Sequence, residues 1–593
     1  MIDQTREKAH LNLLSLIVLL VYATVLSFSF TSEVFPLDDE QELFHVRQLE
    51  TKWNVFGPDL FGLFRPVKNL LFLAFSSLCR FDFKWCRFIG LLVGILSFFP
   101  VRAFCRRVLG TEWKAFVAAS IWILSPTLVS SVAWLSGLNI QIMAASASAS
   151  IVMHDSAWDA DAFRPSRIVF AGVFLFVALI SYEIAISVFP VLVLFDFFLR
   201  SKRLKDTNAL KAYVFYALIV VAYLALRRVF NSSMNLDGNF DATLRWQIIV
   251  SSPFFVAEHF ISWFFPFGRM AVVGSYKWGM IPVCILILCA FVLSTIGISA
   301  LVFRKKSPVV CFCILASFLS IAPVSNCLGF GNGPYGDYYL TFVSTTLSMG
   351  CVEACYLLLH GKSIIRPMAI TVIVLFGTSR IIAISTAARW SYLWGRGVEA
   401  FEESVKSFPN SFANKIMLAQ LLFDRNRSEQ SMRLCSELES EVSPDSKWMA
   451  GVHLLRAMHA LTVSHDADLA LSMLDKSVHS SVAKSNELKN RHYYRGCVYE
   501  DLKNDAVAAE NEYELALAGQ WTIDSVPCAD RLARLKAIYG KRDEAIALWE
   551  KAAILDPSNA AVLWNLSVAY RENGDMARSG QFRNAALRLM EQQ

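Results

Sequence analysis

Leu11-Asn12-Leu13-Leu14-Ser15-Leu16-Ile17-Val18-Leu19-Leu20-Val21-Tyr22-Ala23-Thr24-Val25-Leu26-Ser27-Phe28-Ser29-Phe30 is followed, one short loop later, by Phe35-Pro36-Leu37-Asp38-Asp39-Glu40. An apolar run of about 20 residues, rising 1.5 Å per residue, matches the ~30 Å hydrocarbon thickness of a bilayer. Asp38 and Asp39 therefore stand at a boundary between lipid and water, with Phe64-Arg65-Pro66 further along the same connection. There a carboxylate can hold a raised pKa and take a proton from an alcohol, and a nearby guanidinium can stabilise a phosphate leaving group. A solvated loop acid is the ordinary alternative, and the surroundings decide between the two.

The surroundings are membrane-like. The chain has 593 residues, 55% of them hydrophobic, with 45 Phe and a mean hydropathy of +0.43, too apolar for a soluble enzyme of this length. From about Glu399 onward it turns charged, as in Lys484 to Arg491 and Arg531 to Arg542, and no later segment is long enough to span. Two domains follow: residues 1–390 in lipid and 391–593 in water. The net charge of +6 lies in loop clusters rather than on one basic face, which argues against a nucleic-acid partner.

Placing about 20 apolar residues at a time gives eleven spans. They run roughly from Leu11 to Phe30, Trp85 to Cys105, Ala115 to Val132, Leu138 to Met153, Ile168 to Tyr182, Ala185 to Phe198, Lys211 to Phe230, Met280 to Phe303, Pro308 to Val324, Tyr339 to His360 and Met368 to Ala388. Arg6 and Lys8 precede the first span; Arg102, Arg106, Arg107 and Lys114 follow the second; Arg200, Lys202, Arg203 and Lys205 follow the sixth. The positive-inside rule makes those loops cytoplasmic. Arg304-Lys305-Lys306, Lys362 and Arg366 join them if Trp246 to Phe265 is an interfacial or re-entrant segment. The amino terminus is then inside, and the charged carboxyl-terminal domain outside the cytoplasm. The first span reads as an uncleaved anchor, because no small-x-small cleavage site follows it. Most of the 13 cysteines lie in or beside spans and no C-x-x-C pair occurs outside them, so neither a disulfide framework nor a metal site is indicated.

The charged region repeats. Gly540 and Gly574 are 34 residues apart, as are Ala552 and Ala586, while Pro557 closes a unit and Trp549 and Tyr570 fill large apolar positions. A 34-residue helix-turn-helix period reads as tetratricopeptide repeats. Tyr499, Ala509, Tyr513 and Ala516 keep the spacing approximately, and Trp448 to Val478 and Phe408 to Phe423 look like degenerate helical pairs, giving four or five units. The concave face of such an array usually binds peptide; a helical cap on the membrane domain is the plainer alternative.

Several stretches in order resemble the transmembrane and tetratricopeptide-repeat O-mannosyltransferases and their bacterial relatives, within the GT-C glycosyltransferases. Asp38-Asp39 falls at the family's first-loop acid, and Phe64-Arg65-Pro66-Val67 is similar to its aromatic-Arg-Pro-Leu element. Ser125-Pro126-Thr127 through Val132-Ala133-Trp134-Leu135-Ser136-Gly137 resembles its His-Pro through Val-Ala-Trp-Ile-Ser-Gly stretch, and Ser181-Tyr182-Glu183 its Ser-Lys-Glu. Ile321-Ala322-Pro323-Val324-Ser325-Asn326 and Tyr335-Gly336-Asp337-Tyr338-Tyr339-Leu340 resemble its Leu-Pro-Val-Ser-Asn and Ala-Asp-Arg-Tyr-Leu-Tyr. The chain departs from the family at Ser125, Leu128 and Ser130, at Leu138 and Asn139, at Tyr182, and at Tyr338, where the family carries Arg.

The resemblance implies an all-α protein, a GT-C-like membrane bundle followed by a tetratricopeptide-repeat solenoid. It implies inverting transfer of a sugar from a polyprenyl-phosphate donor to a hydroxyl of a protein or glycan, with Asp38 or Asp39 as general base. Asn139, Glu183, Asp337 and Tyr338 would line the substrate site. With the family Arg replaced by Tyr338, Arg65, Arg269 and Lys277 are left to meet the lipid phosphate. The lipid-linked sugar is the one small molecule called for, the repeats would hold a protein or peptide acceptor, and the spans would contact membrane lipid. A catalytically inactive, membrane-anchored repeat scaffold is the alternative. Few polar residues lie mid-span, which disfavours a transporter.

Overall fold

The computed structural model describes residues 2–31, 39, 42, 46, 55–59, 63–79, 82–159, 163–230, 242–266, 281–325, 337–360, 366–394, 396–441, 447–477, 485–519, 521, 525–557 and 559–590. Among these residues every regular element is helical. The chain divides into two compact units, one made of Met1–Glu42 and Thr51–Ser411 and the other of Leu43–Glu50 and Phe412–Gln593.

In the first unit seven helices among the described residues are long and apolar enough to cross a membrane: His10–Phe30, Lys84–Leu109, Leu135–Ser156, Thr207–Val229, Val283–Val302, Leu340–Leu359 and Ile370–Leu393. An eighth is added if Glu112–Ile123 and Pro126–Ala133, bent by 59° at their junction, count as one span. The bend has a local cause, because Pro126 opens the second helix and holds Ser125 in extended backbone. The other three of the eleven expected spans are shorter helices. Pro165–Ser181 has 17 residues, Pro308–Ile321 has 14 and Val188–Leu199 has 12. Leu135–Ser156 is the most enclosed of the seven, with 78% of its apolar window buried.

Ion pairs fix the direction of the bundle. At one end Asp155, which is buried, accepts from Arg107 at 3.3 Å, Arg200 at 3.1 Å and Arg203 at 2.7 Å. Those partners sit at the carboxyl-terminal ends of the helices Phe83–Leu109 and Val188–Leu199, and Asp155 near that of Leu138–Ser156. Arg304 joins this basic end by lying over the Phe197 ring, and Lys114 pairs with Glu353 at 2.8 Å. The amino-terminal ends of these helices therefore gather at the opposite end, along with Ser325 and Tyr338. Helix Ala242–Phe264 packs against three others: Ser252 meets Ser325 at 3.5 Å, His259 faces Tyr339, and Arg380 and Thr386 hold the carbonyls of Trp263, Phe264 and Pro266.

Among the described residues the second unit forms an array of five helix hairpins: Phe412–Asp424 with Ser428–Glu441, Lys447–His459 with Ala467–Lys476, Ser485–Asp501 with Ala506–Ala516, Val526–Ile538 with Arg542–Leu555, and Ala560–Glu572 with Met576–Met590. Each turns through one residue of left-handed backbone, in order Asn426, His465, Asn504, Gly540 and Gly574. Asn and Gly tolerate that conformation at least cost, which is why these residues mark the period. Five positions after each turn lies a small buried side chain, namely Ser431, Ala470, Ala509, Ala545 and Ser579, and it lets the paired helices approach. Nine positions before three of the turns an arginine ties its hairpin to the preceding one: Arg456 to Glu439, Arg495 to Asp475 and Arg531 to Glu500. The stretch Phe408 to Phe423 is thus part of one hairpin's first helix rather than a pair of its own. Repeats of the tetratricopeptide kind are what these five hairpins form.

Candidate functional site

Residues far apart in sequence meet at the end of the bundle opposite Arg107, Arg200 and Arg203. The short turn Leu135–Gly137 lies between the helices Pro126–Ala133 and Leu138–Ser156, and its first backbone N–H groups have no intrahelical acceptor. Asp39 supplies one. Its carboxylate accepts from Ser136 N–H at 2.8 Å and Leu135 N–H at 3.1 Å, it is 1% exposed, and Arg87 lies close enough to act on it electrostatically. Arg87 in turn donates to the Ser29 carbonyl, at the end of the first helix. Asp39 thereby ties itself to the turn ahead of the most enclosed apolar helix.

Arg65 lies just ahead of helix Pro66–Cys79 and makes a two-pronged contact with Glu183, Nε to Oε2 at 2.9 Å and Nη2 to Oε1 at 2.5 Å. Its Nη1 is 3.7 Å from Asp59, and its guanidinium lies 4.2 Å over the Tyr182 ring. Burial alone would raise the Glu183 carboxyl, yet the charge of Arg65 and its hydrogen bonds hold it below the usual glutamate range. On Arg65 burial works against the charged form, and Glu183, Tyr182 and Asp59 outweigh it and push the guanidinium up. A second buried pair stands alongside, Lys68 with Glu42 at 2.5 Å and with Asp59 at 3.6 Å.

Asn139, on the first turn of Leu138–Ser156, donates to the Ser181 carbonyl at 2.8 Å and so sits one residue pair from Glu183. Tyr338, within the turn Asp337–Tyr339, packs edge-on against Trp134 at 5.3 Å, and Trp134 stacks on Trp394 at 5.8 Å. The structure therefore brings Asp39, Arg65, Asn139, Glu183 and Tyr338 to one end. Asp337 opens its turn there. Asp38, Arg269 and Lys277 lie outside the described residues.

Sequence reasoning missed Glu42, Asp59 and Lys68, as well as the Trp134–Trp394 stack. Glu42 stands three residues after Asp39 and Asp59 follows Gly57-Pro58, but no spacing rule pairs either with Lys68, because the contacts are made by the folded chain.

No family model matches the chain, and no curated protein matches it. Among solved structures it is similar to YrrB, described as a TPR protein with an unusual peptide-binding site, at 18% identity and a TM-score of 0.23 over 32% of this chain and 93% of that one. It is also similar to TTC0263, a thermophilic TPR protein of Thermus thermophilus, at 20% identity and a TM-score of 0.24, covering 34% of this chain and 95% of that one. A third is MamA, at 16% identity and a TM-score of 0.19, covering 34% and 92%.

Proposed function

We propose that the chain is a membrane glycosyltransferase of the GT-C type. It moves a sugar from a polyprenyl-phosphate donor to a hydroxyl of a protein or glycan, with inversion, on the extracytoplasmic side. One observation carries the reading: the two acids, arginine, amide and tyrosine that the sequence singled out from five separate segments converge at the end of the bundle opposite its basic loops. By the positive-inside rule that end faces out.

The two adjacent acids take different roles. Asp39 has both oxygens engaged by backbone N–H groups and is a positioning residue; Asp38, next to it, is the general base. The Arg65–Glu183 pair braces the site, and Arg269 and Lys277 are assigned to the lipid phosphate. The repeat array holds the acceptor, since stacked helix pairs present an extended concave face.

A catalytically inactive repeat scaffold is favoured by one specific observation, namely that Asp39 and Arg65 are both already occupied in holding the fold. Mass spectrometry of envelope glycoproteins from cells lacking the chain separates the two. The enzyme predicts loss of one sugar from a defined set of proteins. Unchanged glycans would sink it.

A further inference from the structure

Arg380 stands near the middle of the apolar helix Ile370–Leu393, a depth at which a charge is costly unless something balances it. Its Nη2 is shared among neutral oxygens: the carbonyls of Trp263 at 2.6 Å and Phe264 at 3.0 Å, and Ser379 Oγ at 3.0 Å. The guanidinium also lies over two rings, Trp263 at 4.6 Å and Phe376 at 5.2 Å. These contacts hold the group without cancelling its charge. Nε and Nη1 are buried with no acceptor, and among the described residues no carboxylate stands within ion-pair distance. Acids on the neighbouring helices are engaged elsewhere, Glu353 with Lys114 and Glu112 with Arg102 and Arg106. The indole N–H of Trp263, in the ring that the guanidinium covers, is a further buried donor without an acceptor.

A cavity adjoins this unbalanced cation. Arg380 forms part of the wall of a groove of about 200 Å³ between the first helix, Glu112–Ile123 and Ile370–Leu393. The rest of the wall is almost wholly apolar and includes Val18, Val117, Ile121 and Ala383. Buried polar atoms are nearly always paired, and a held cation with free donors beside an apolar groove is half of a binding site. The other half has an anionic head and an aliphatic body. One guanidinium balances one negative charge, which suits a carboxylate better than a phosphate monoester carrying about −1.5 to −2. A groove of this volume admits one aliphatic chain, which excludes a lipid with two.

We propose that the groove holds a fatty acid, its carboxylate accepting from Arg380 and its chain lying against the first helix and Glu112–Ile123. The pairing removes the net charge that the bundle leaves uncompensated at this depth. The site shares no residue with the corner built by Asp39, Arg65 and Glu183. It rests on the reading of the first unit as a membrane bundle and is independent of the sugar donor.

The test uses the full chain, stripped of lipid in detergent and returned to nanodiscs of uncharged lipid, with palmitate, hexadecanol, hexadecyl phosphate and polyprenyl phosphate as probes of equilibrium binding. Wild-type protein should bind palmitate about tenfold or more tightly than the alcohol, which has the same chain and no charge, and more tightly than either phosphate. Arg380→Gln, which keeps an N–H donor and removes the charge, should bind acid and alcohol alike. Val117→Phe narrows the groove and leaves the contacts of Arg380 in place, so it reports on the site even where loss of the arginine disturbs the fold; it should weaken palmitate binding severalfold. Palmitate bound no more tightly than hexadecanol by wild type, or bound at wild-type affinity by both variants, would overturn the site. Either phosphate bound as tightly as palmitate would overturn the carboxylate assignment. A chain that stays in solution without detergent or lipid would overturn the membrane reading itself, a failure distinct from the others.

Discussion

At the scale of single residues, the proposed reading gives two adjacent acids different work. Asp39→Asn replaces one accepting oxygen with a donor facing a backbone N–H, so the turn Leu135–Gly137 loses a charge-assisted bond in a buried setting. We expect about 1–3 kcal/mol of lost stability, read as a lower melting temperature of the solubilised chain, whereas Asp38→Asn should melt with the wild type. Equal melting of all three would contradict the division of roles. The Glu183 carboxyl carries its own pH signature. Its pKa is depressed in the folded state, so its contribution is complete above the ordinary glutamate value of 4.5 and is lost as pH falls below it. Wild-type melting temperature should drop on acidification through that range by more than that of Glu183→Gln, which has nothing there to titrate. Asp39, Arg65 and Glu183 stand out in the sequence as polar residue types beside apolar runs. Their partners do not, because Glu183 stands 118 residues from Arg65 and nothing local specifies the pair.

At the scale of elements the repeats were legible where Gly marks the turn and faint where Asn or His does. Gly540 and Gly574 gave the 34-residue period directly, while Asn426, His465 and Asn504 perform the same left-handed turn at longer intervals and with side chains common elsewhere. Gly540→Val should cost about 1–2 kcal/mol, and Asn504→Gly only a few tenths. Because a repeat array loosens locally, the loss should appear as faster amide hydrogen exchange within Val526–Leu555. Uniform exchange across all five hairpins would contradict an array of coupled but separable units. Gly496 tests packing in the preceding hairpin, residues 485–516: a Cβ there would meet the buried Tyr513 ring at 2.4 Å. Gly496→Ala should destabilise by about 1–3 kcal/mol, measured the same way. The apolar helices of the bundle were less legible, since Pro165–Ser181, Val188–Leu199 and Pro308–Ile321 are as apolar as the longer ones yet shorter, and composition does not report where a helix stops.

At the scale of the whole molecule the chain joins a helical bundle with two chemically distinct ends to a repeat array. Ending the chain at Ser411 should leave the bundle folded, since its helices satisfy their own backbone hydrogen bonds and its ion pairs are internal to that unit. Donor binding should survive the truncation and transfer to a protein acceptor should fall; lost donor binding would make the repeats part of the bundle's structure. A reporter active only in the cytoplasm, fused after Gln593, should stay silent if the repeats lie outside. The central claim is that Asp38 takes the proton from an acceptor hydroxyl as a sugar leaves its lipid phosphate. It is tested most directly by purifying the full chain and its Asp38→Asn variant and following labelled hexose from polyprenyl-phosphate hexose into a hydroxyl-bearing peptide. The account predicts transfer by the wild type and a loss of about a hundredfold or more in the variant, with donor binding retained. Equal transfer by both proteins would contradict it.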